Sequence, residues 1–282
     1  SSERDVASPA FAPARPLAST SVRFIACGRE YFNNVLDAIR AARRQILIAD
    51  WRMNPSVRLR RWPDFEDLCD DDTGDSTTTT LEAALADAIQ NRGVQVSVLL
   101  YREVHEKLQT KHQSSAVARR LEALGASVLR HPNHLVAGQI FWSHHEKLVV
   151  VDQNVAFVGG MDLVEGRYDD TDHRLRDDGD GVAAKFVTWQ GVDYYQPNKP
   201  RGNKSADATE SSSSSSSSRG DASLTSSKSK DEIDRGATPR MPWHDVAVRV
   251  EGLAARDVAL HLVQRWNHHR EKLLRLSGTY KV

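Results

Sequence analysis

A nine-residue segment near the middle of the chain carries side chains that could act on a phosphate ester. Residues 144–152 contain the pattern H-x-K-x-x-x-x-D, which is formed by His145, Lys147 and Asp152. The apolar stretch between Lys147 and Asp152 predicts a β-strand, and side chains alternate along a strand, so His145 and Lys147 share one face. An imidazole that attacks phosphorus and an ammonium that holds phosphate oxygens could then converge on one phosphate.

The residues after this pattern predict how the segment is supported. Asp152 has the opposite parity from the other two motif residues, so we expect it to fix a hairpin turn at residues 153–154 and not to touch substrate. Gly159 and Gly160 are expected to allow close backbone approach near the phosphate, and Asp162 to brace the site. For an H-x-K pair alone, an exposed hairpin edge with charged side chains would be the favoured interpretation, but the full run with its diglycine favours a catalytic motif.

The segment 142–170 resembles the first catalytic motif of the phospholipase D superfamily, specifically the eukaryotic branch that hydrolyses phosphatidylcholine. The similarity includes Phe157-Val158-Gly159-Gly160-Met161-Asp162-Leu163 and Gly166-Arg167-Tyr168-Asp169-Asp170. A second stretch, Thr238-Pro239-Arg240-Met241-Pro242-Trp243-His244-Asp245, agrees, and Ala49-Asp50-Trp51 is a weaker match in the correct order. The resemblance covers roughly residues 22 to 270, with a gap over a serine tract.

The resemblance implies a covalent phosphohistidine intermediate. One histidine attacks phosphorus, and the histidine of a second motif protonates the leaving alcohol. We favour His145 as the nucleophile, with the role of general acid left open, and expect Lys147 to neutralise the phosphate oxygens. Asp177 is expected to orient the imidazole, although it fits an acidic turn at residues 177–180 equally well.

The chain contains one such motif, whereas the superfamily builds one active site from two. The nearest other match, His105-Glu106-Lys107, has His112 in place of the aspartate and is interpreted as a solvated helical face. We therefore expect a fragment, the N-terminal half of a catalytic core. Its partner would be a second catalytic half, from a missing C-terminal region or from a second subunit.

The charge balance and the lengths of the apolar runs limit which partners and which cellular compartment the chain is expected to have. The chain has 38 basic and 38 acidic residues, so no overall positive field indicates nucleic acid, and none is expected. No apolar run approaches the roughly 20 residues that cross a bilayer. We expect a cytoplasmic, peripheral membrane protein that meets a phospholipid substrate at the membrane surface. No metal or cofactor is expected for the chemistry, and phosphoinositide activation is compatible with the resemblance.

Alternating helical and strand patterns predict an α/β fold with a mixed central sheet flanked by helices, one half of a two-lobed phospholipase D fold. Residues 1–20 are expected to form a disordered leader, and residues 21–282 the half-core. Within it lie the phosphodiesterase motif at 139–166 and a disordered serine-rich insertion at 199–236. Predicted helices cover 31–44, 116–124 and 253–276, another begins with a capping box at Thr79, and predicted strands cover 45–49, 94–101, 127–130, 146–152, 155–158 and 245–250.

Three functions remain open at this point. The first is a phospholipase D that converts phosphatidylcholine to phosphatidate and choline, or transfers the phosphatidyl group to a primary alcohol. The second is another phosphodiesterase of the superfamily, such as a nuclease, in which two copies of one motif face each other across a two-fold axis. The third is an inactive truncated fragment or binding module. A second H-x-K-x-x-x-x-D motif would separate the first from the second.

Overall fold

The described part of the chain forms one seven-stranded mixed sheet with helices on both faces. The computed structural model describes residues 15–61, 64, 77–103, 113–131, 144–176, 189, 193–194 and 238–276. The strands are β1 Thr20–Ile25, β2 Gln45–Asp50, β3 Gln95–Tyr101, β4 Ser127–His131, β5 Leu148–Val151, β6 Val155–Gly159 and β7 Ala247–Gly252. The helices are α1 Gly28–Ala41, α2 Leu81–Ala86, α3 Ser114–Leu124 and α4 Leu253–Leu276.

The order of strands across the sheet is β1-β7-β6-β5-β2-β3-β4. Strands β2, β3 and β4 pair in parallel, and the other neighbours pair antiparallel. Because β5 runs against β2, the start of β5 lies beside the end of β2. This arrangement confirms the predicted α/β fold with a mixed sheet.

The central strands are buried on both faces, which explains why their sequences read as continuous apolar runs. Ile46 and Ile48 pack with α1, α2 and α3 on one face. Leu47 and Ala49 point the other way and pack with Ala255, Ala259 and Leu262 of α4. Strand β5 shows the same alternation, so the strand that follows Lys147 is fixed from both sides of the sheet.

Most predicted elements are confirmed within a few residues, with local corrections. The N-cap of α2 is Thr80, not Thr79, since the Thr80 side chain accepts a hydrogen bond from the Ala83 backbone N–H. The β5–β6 turn is centred on Asp152 and Gln153, one residue earlier than predicted, and both have positive φ. Such a turn matches the twist of the two flanking strands.

The N-terminal boundary also differs from the prediction. Strand β1 was not predicted, and a short 3-10 helix, Leu17–Ser19, precedes it within the expected leader. Arg15 makes an ion pair with Asp257 of α4, 2.5 Å between Nη2 and Oδ1. The rest of the expected leader, the insertion at 199–236 and the segment around His105 lie outside the described residues.

Candidate active site

Four strand ends meet at one edge of the sheet, and the motif residues lie there. Leu148 pairs with both Ala49 and Val158, and Gly159 pairs with Ala247. The residues just beyond those pairs therefore converge. They are Asp50 at the end of β2 with Trp51 after it, Lys147 before β5, Asp162 after β6, and Asp245 before β7. Ends of buried strands are where a sheet can present side chains to a ligand while the sheet holds their backbones in place.

Residues 144–147 lead into β5 in an alternating arrangement. His144 and Glu146 face α4, where Arg265 lies 3.1 Å from His144 Nδ1 and donates to Glu146 Oε1 at 2.8 Å. Burial, and after it the charge of Arg265, lowers the pKa of His144 to about 3, so this ring is neutral. His145 and Lys147 occupy the other side, as the sequence predicts. The helix thus holds one side of the segment while the other side faces the candidate site.

The ammonium of Lys147 is buried and sits in an ion-pair network. Its Nζ lies 3.0 Å from Asp162 Oδ1 and 3.1 Å from the His145 carbonyl oxygen. Arg167 contacts the second oxygen of Asp162 at 3.1 Å. Only 5% of the Lys147 side chain is exposed, so the position of its charge is well defined. These two contacts use two of the three ammonium hydrogens, and a third remains for a ligand oxygen.

Beneath this network two carboxyl groups lie side by side. Asp50 is fully buried, and its Oδ2 accepts a hydrogen bond from the Leu163 backbone N–H at 2.8 Å. Burial raises the pKa of Asp50 well above its usual range, and the negative charge of Asp162 raises it further. Burial alone would also raise the pKa of Asp162, but the hydrogen bond from Asp50 and the charges of Lys147 and Arg167 lower it. Asp50 therefore holds the proton, and Asp162 is the anion.

The imidazole of His145 is exposed next to this network. Its ring centroid lies 5.1 Å from that of Trp51, and the same indole ring lies 5.4 Å from Lys147 Nζ. Partial burial lowers the pKa of His145, and the charge of Lys147 lowers it further. At neutral pH the ring is therefore mostly unprotonated, which is the form that can act as a nucleophile or base.

Asp245 and Trp243 line the same edge through their contacts with Arg167. The guanidinium carbon of Arg167 lies 3.5 Å from the centroid of the Trp243 ring, and its Nε lies 3.8 Å from Asp245 Oδ2. A Cβ at Gly159 would lie 2.4 Å from the Val246 carbonyl oxygen, and one at Gly160 would lie 2.9 Å from Asp245 Oδ1. The lack of a side chain at both glycines therefore makes room for the segment that leads into β7. The groups that approach the glycines closely are the backbone of this segment and the Asp245 side chain.

Asp152 lies at the opposite edge of the sheet, at the far end of β5 from His145 and Lys147. Its carboxylate accepts hydrogen bonds from the backbone N–H groups of Arg43, Arg44 and Gln45, at 2.8–2.9 Å. Partial burial would raise the pKa of Asp152, but these three donors lower it. Asp152 therefore lies apart from His145 and Lys147, and its place among the catalytic residues of the motif stays a prediction. The structure places it where it fixes the turn and the start of β2, the bracing position expected from its parity.

Several residues at the site were not given roles from sequence. Asp50 and Trp51 follow an apolar strand directly, a position that could have drawn attention to them. Arg167, Trp243 and Asp245 reach the site only through strand pairing between distant segments, which sequence spacing does not reveal. Asp177 lies outside the described residues, so its orienting role stays a prediction.

Among the described residues, one group of side chains has donor atoms close enough to hold a metal ion, formed by Asp169, His173 and His244. Within that same part of the chain, no helix is both long and apolar enough to cross a membrane.

Comparisons with known proteins agree with the motif. A family model described as phospholipase D matches residues 38–201 and 218–280. The chain is 35% identical to phospholipase D zeta 2 of Arabidopsis thaliana over 264 residues, which are 92% of this chain and 22% of the relative. It is 36% identical to phospholipase D2 of Bos taurus over 267 residues, 91% of this chain and 26% of the relative.

Among solved structures, the fold is similar to the crystal structure of Nuc from Salmonella typhimurium, described as a phospholipase D family member. That similarity has a TM-score of 0.42 and 14% identity, and covers 88% of this chain and 95% of that one. The chain spans about a fifth to a quarter of the length of the two curated relatives above.

Proposed function

Because the chain belongs to the phospholipase D family, we propose that it supplies one half of an active site that hydrolyses phosphatidylcholine to phosphatidate and choline. The observation that supports this most is the convergence of His145 and Lys147 beside Trp51, at the edge where four strands end. This arrangement places the neutral imidazole of His145, a nucleophile, near the fixed positive charge of Lys147. A phosphodiester reaction needs both groups.

In the proposed reaction, an unprotonated ring nitrogen of His145 attacks phosphorus. A nitrogen–phosphorus bond forms while the bond between phosphorus and the choline oxygen breaks. The histidine of a second motif donates a proton to the leaving choline oxygen. Water then attacks the phosphatidyl-histidine, gives its proton back to that second histidine, and releases phosphatidate and free His145. A primary alcohol in place of water would give the transphosphatidylation product. These steps require no metal ion.

Lys147 and Arg167 are cations whose charges act on His145, and they can stabilise the phosphate oxygens. Their charges oppose those of Asp162 and Asp245, which lie beside them, while Asp50 stays protonated. The half-site is therefore close to electrically balanced and offers little net attraction for an anion. A second motif would bring another lysine together with the missing acid, which is why we propose that two halves are needed.

We propose that the second half comes either from a further part of the same protein or from a second subunit. Phosphatidylcholine resides in bilayers, so the reaction would take place at a membrane surface, with the protein bound peripherally from the cytoplasmic side. The balanced overall charge, 38 basic against 38 acidic residues, gives no support for a nucleic-acid substrate.

A chimera tests this proposal. The chain would replace the matching 267-residue segment of Bos taurus phospholipase D2, so that the remainder of the relative supplies the second half. We expect the folded chimera to release choline from phosphatidylcholine vesicles and the 282-residue chain alone to release essentially none. The unmodified relative and a relative lacking the segment serve as positive and negative controls.

Two outcomes would contradict the proposal of a half-site. One is robust choline release by the isolated chain as a monomer. The other is a chimera that has the secondary structure and cooperative melting of the relative but remains inactive. Turnover by the chain only at concentrations where it dimerises would instead support a symmetric site made from two copies of one motif.

A further inference from the structure

Three potential metal ligands lie together beside the candidate active site. Asp169 and His173 belong to the segment after β6, and His244 belongs to the segment before β7. The distance from His173 Nδ1 to Asp169 Oδ2 is 2.5 Å, and the ring centroids of His173 and His244 are 3.8 Å apart. One donor atom from each residue lies within 4.8 Å of the other two. We refer to these residues as the Asp-His-His cluster.

The donor set of the cluster matches the chemistry of a transition metal ion. Imidazole nitrogens with one carboxylate suit Zn²⁺ and its neighbours, whereas Ca²⁺ and Mg²⁺ prefer oxygen ligands. Around a tetrahedral Zn²⁺, donor atoms are about 3.4 Å apart. In the cluster the Asp169 and His173 atoms are closer than this, at 2.5 Å, and all three donor atoms lie within 4.8 Å of one another. Side-chain rotations can therefore bring them to the spacing that the ion needs.

The carboxylate of the cluster is held in a fixed orientation. Asp169 is 2% exposed, and its Oδ1 is ion-paired with Arg240, while its Oδ2 contacts the His173 ring. The Asp169 backbone carbonyl accepts a hydrogen bond from the Arg29 N–H at 2.7 Å. Metal-binding carboxylates are commonly oriented in this way by a donor on the second oxygen.

The backbone at His173 also favours the arrangement. His173 has a φ of +52°, in the left-handed region that side-chain-bearing residues rarely occupy. Its backbone N–H donates to the Asp170 carbonyl oxygen at 3.1 Å, which closes a tight turn and returns the ring towards Asp169. Strained conformations of this kind concentrate at functional sites.

The cluster is open on its other side. The side chain of His173 is 43% exposed and His244 is also exposed, so an ion can enter from solvent and keep water as its remaining ligands. We propose that Asp169, His173 and His244 bind a divalent transition metal ion, with Zn²⁺ the best match. The ion ties the segment after β6 to the segment before β7.

This site adjoins the proposed catalytic cluster without sharing a residue with it. His244 lies between Trp243 and Asp245, both of which contact Arg167. A bound ion would therefore stiffen the segment that carries these two contacts. The metal site does not depend on the proposed hydrolysis, and its presence is measured without any activity.

Cobalt provides a direct probe of the site. The untagged 282-residue chain would be titrated with Co²⁺, whose visible absorption reports nitrogen and oxygen ligands, and Zn²⁺ would then be added as a competitor. We expect one saturable Co²⁺ site that Zn²⁺ displaces. His173→Gln and His244→Gln should each weaken binding about tenfold or more. His268→Gln, at an exposed position of α4, is the matched control and should bind like the wild type.

A second measurement on the unmodified chain guards against misfolded variants. Zn²⁺ should slow amide hydrogen exchange in residues 166–175 and 240–246 and raise the thermal midpoint. The proposal is overturned if no saturable binding occurs, if folded His173 and His244 variants bind as tightly as the wild type, or if protection appears only in other segments.

Discussion

The two ends of strand β5 use the residues of a single sequence motif for different purposes. At the start of the strand, Lys147 is buried in a network with Asp162 and Arg167, beside the exposed ring of His145. At its end, Asp152 accepts hydrogen bonds from three backbone N–H groups and holds the turn to the start of β2. One end assembles charged side chains, and the other satisfies the backbone.

Because of this difference, mutations at one end of β5 should lower activity, and mutations at the other end should lower stability. A charge network at a strand end costs folding free energy, because it holds charged groups in a buried place, but it fixes them where a substrate would bind. A carboxylate that accepts three backbone hydrogen bonds contributes to stability and has no need to meet substrate. Variants along one short strand should therefore fall into two classes.

The largest expected effect is on His145. In the chimera, His145→Asn should lower choline release by at least about 10³-fold, because it removes the proposed nucleophile. The thermal midpoint should stay close to that of the unsubstituted chimera, since the ring is exposed. His268→Asn is the control for a histidine distant from the motif. Activity within tenfold of the unsubstituted chimera would show that His145 is not the nucleophile.

A matched pair of variants separates the two buried carboxyl groups. Asp162→Asn should destabilise the isolated chain by about 3–5 kcal/mol, because Lys147 and Arg167 lose their shared buried counter-ion. Asp50→Asn should cause little or no loss at pH 7, since the amide resembles the protonated acid. Denaturant unfolding of both variants measures this difference.

The pH dependence of the same pair gives a further check. The pKa of Asp50 is raised on folding. The wild type therefore loses stability as the pH rises from the pKa of Asp50 in the unfolded chain to its pKa in the folded protein. Asp50→Asn lacks that loss, and its stability relative to the wild type should improve from acid to neutral pH. Equal destabilisation by the two substitutions at pH 7 would mean that the proton is not held by Asp50.

An intermediate effect is expected at Lys147. Lys147→Arg retains the charge but changes the reach and geometry of the donors, and should lower choline release by the chimera about 10²-fold. Steady-state kinetics should show the loss mainly in kcat, since the phosphate charge redistributes in the transition state. A near-unchanged rate would remove Lys147 from its role at the phosphate.

The smallest effect belongs to the other end of the strand. Asp152→Asn should destabilise the isolated chain by about 1–2 kcal/mol, because a neutral amide oxygen accepts the three backbone hydrogen bonds more weakly. The catalytic rate of the folded chimera should hardly change. A loss of rate as large as that of Lys147→Arg, at unchanged stability, would bring Asp152 back to the site.

The pH profile of that variant follows from the lowered pKa of Asp152. Folding stabilises the ionised carboxyl group, so the difference in unfolding free energy between the wild type and Asp152→Asn should be complete above about pH 4. This difference should disappear as the pH falls through the lowered pKa that Asp152 has in the folded protein. Unfolding of both proteins measured from about pH 7 down to about pH 2 tests the sign.

The sequence predicts the fold better than it predicts the site. Apolar runs such as Gln95–Tyr101 and the helical pattern of Leu253–Leu276 depend on local periodicity, and both are confirmed. Strand β1 is not predicted, because it is an edge strand whose sequence lacks the dense apolar run of a central strand. Its Val22 and Phe24 side chains are about 60% exposed.

The residues of the site illustrate the limit in physical terms. His145 and Lys147 are found because they are neighbours in one strand-like run. The pairing of Asp50 with Asp162 depends on the register between β2, β5 and β6, and the contact of Arg167 with Asp245 depends on that between β6 and β7. The register between strands that are distant in sequence also depends on how both sheet faces pack, so the residues of one strand do not reveal it alone.

The most direct test of the account is to locate the covalent intermediate. The chimera would be mixed with a short-chain phosphatidylcholine, quenched in denaturant at neutral to basic pH during turnover, and digested for peptide mass mapping. We predict a phosphatidyl group on the peptide that contains His145, and its absence in His145→Asn. A phosphatidyl group on a different residue, or turnover with none on His145, would contradict the proposed chemistry of this strand end.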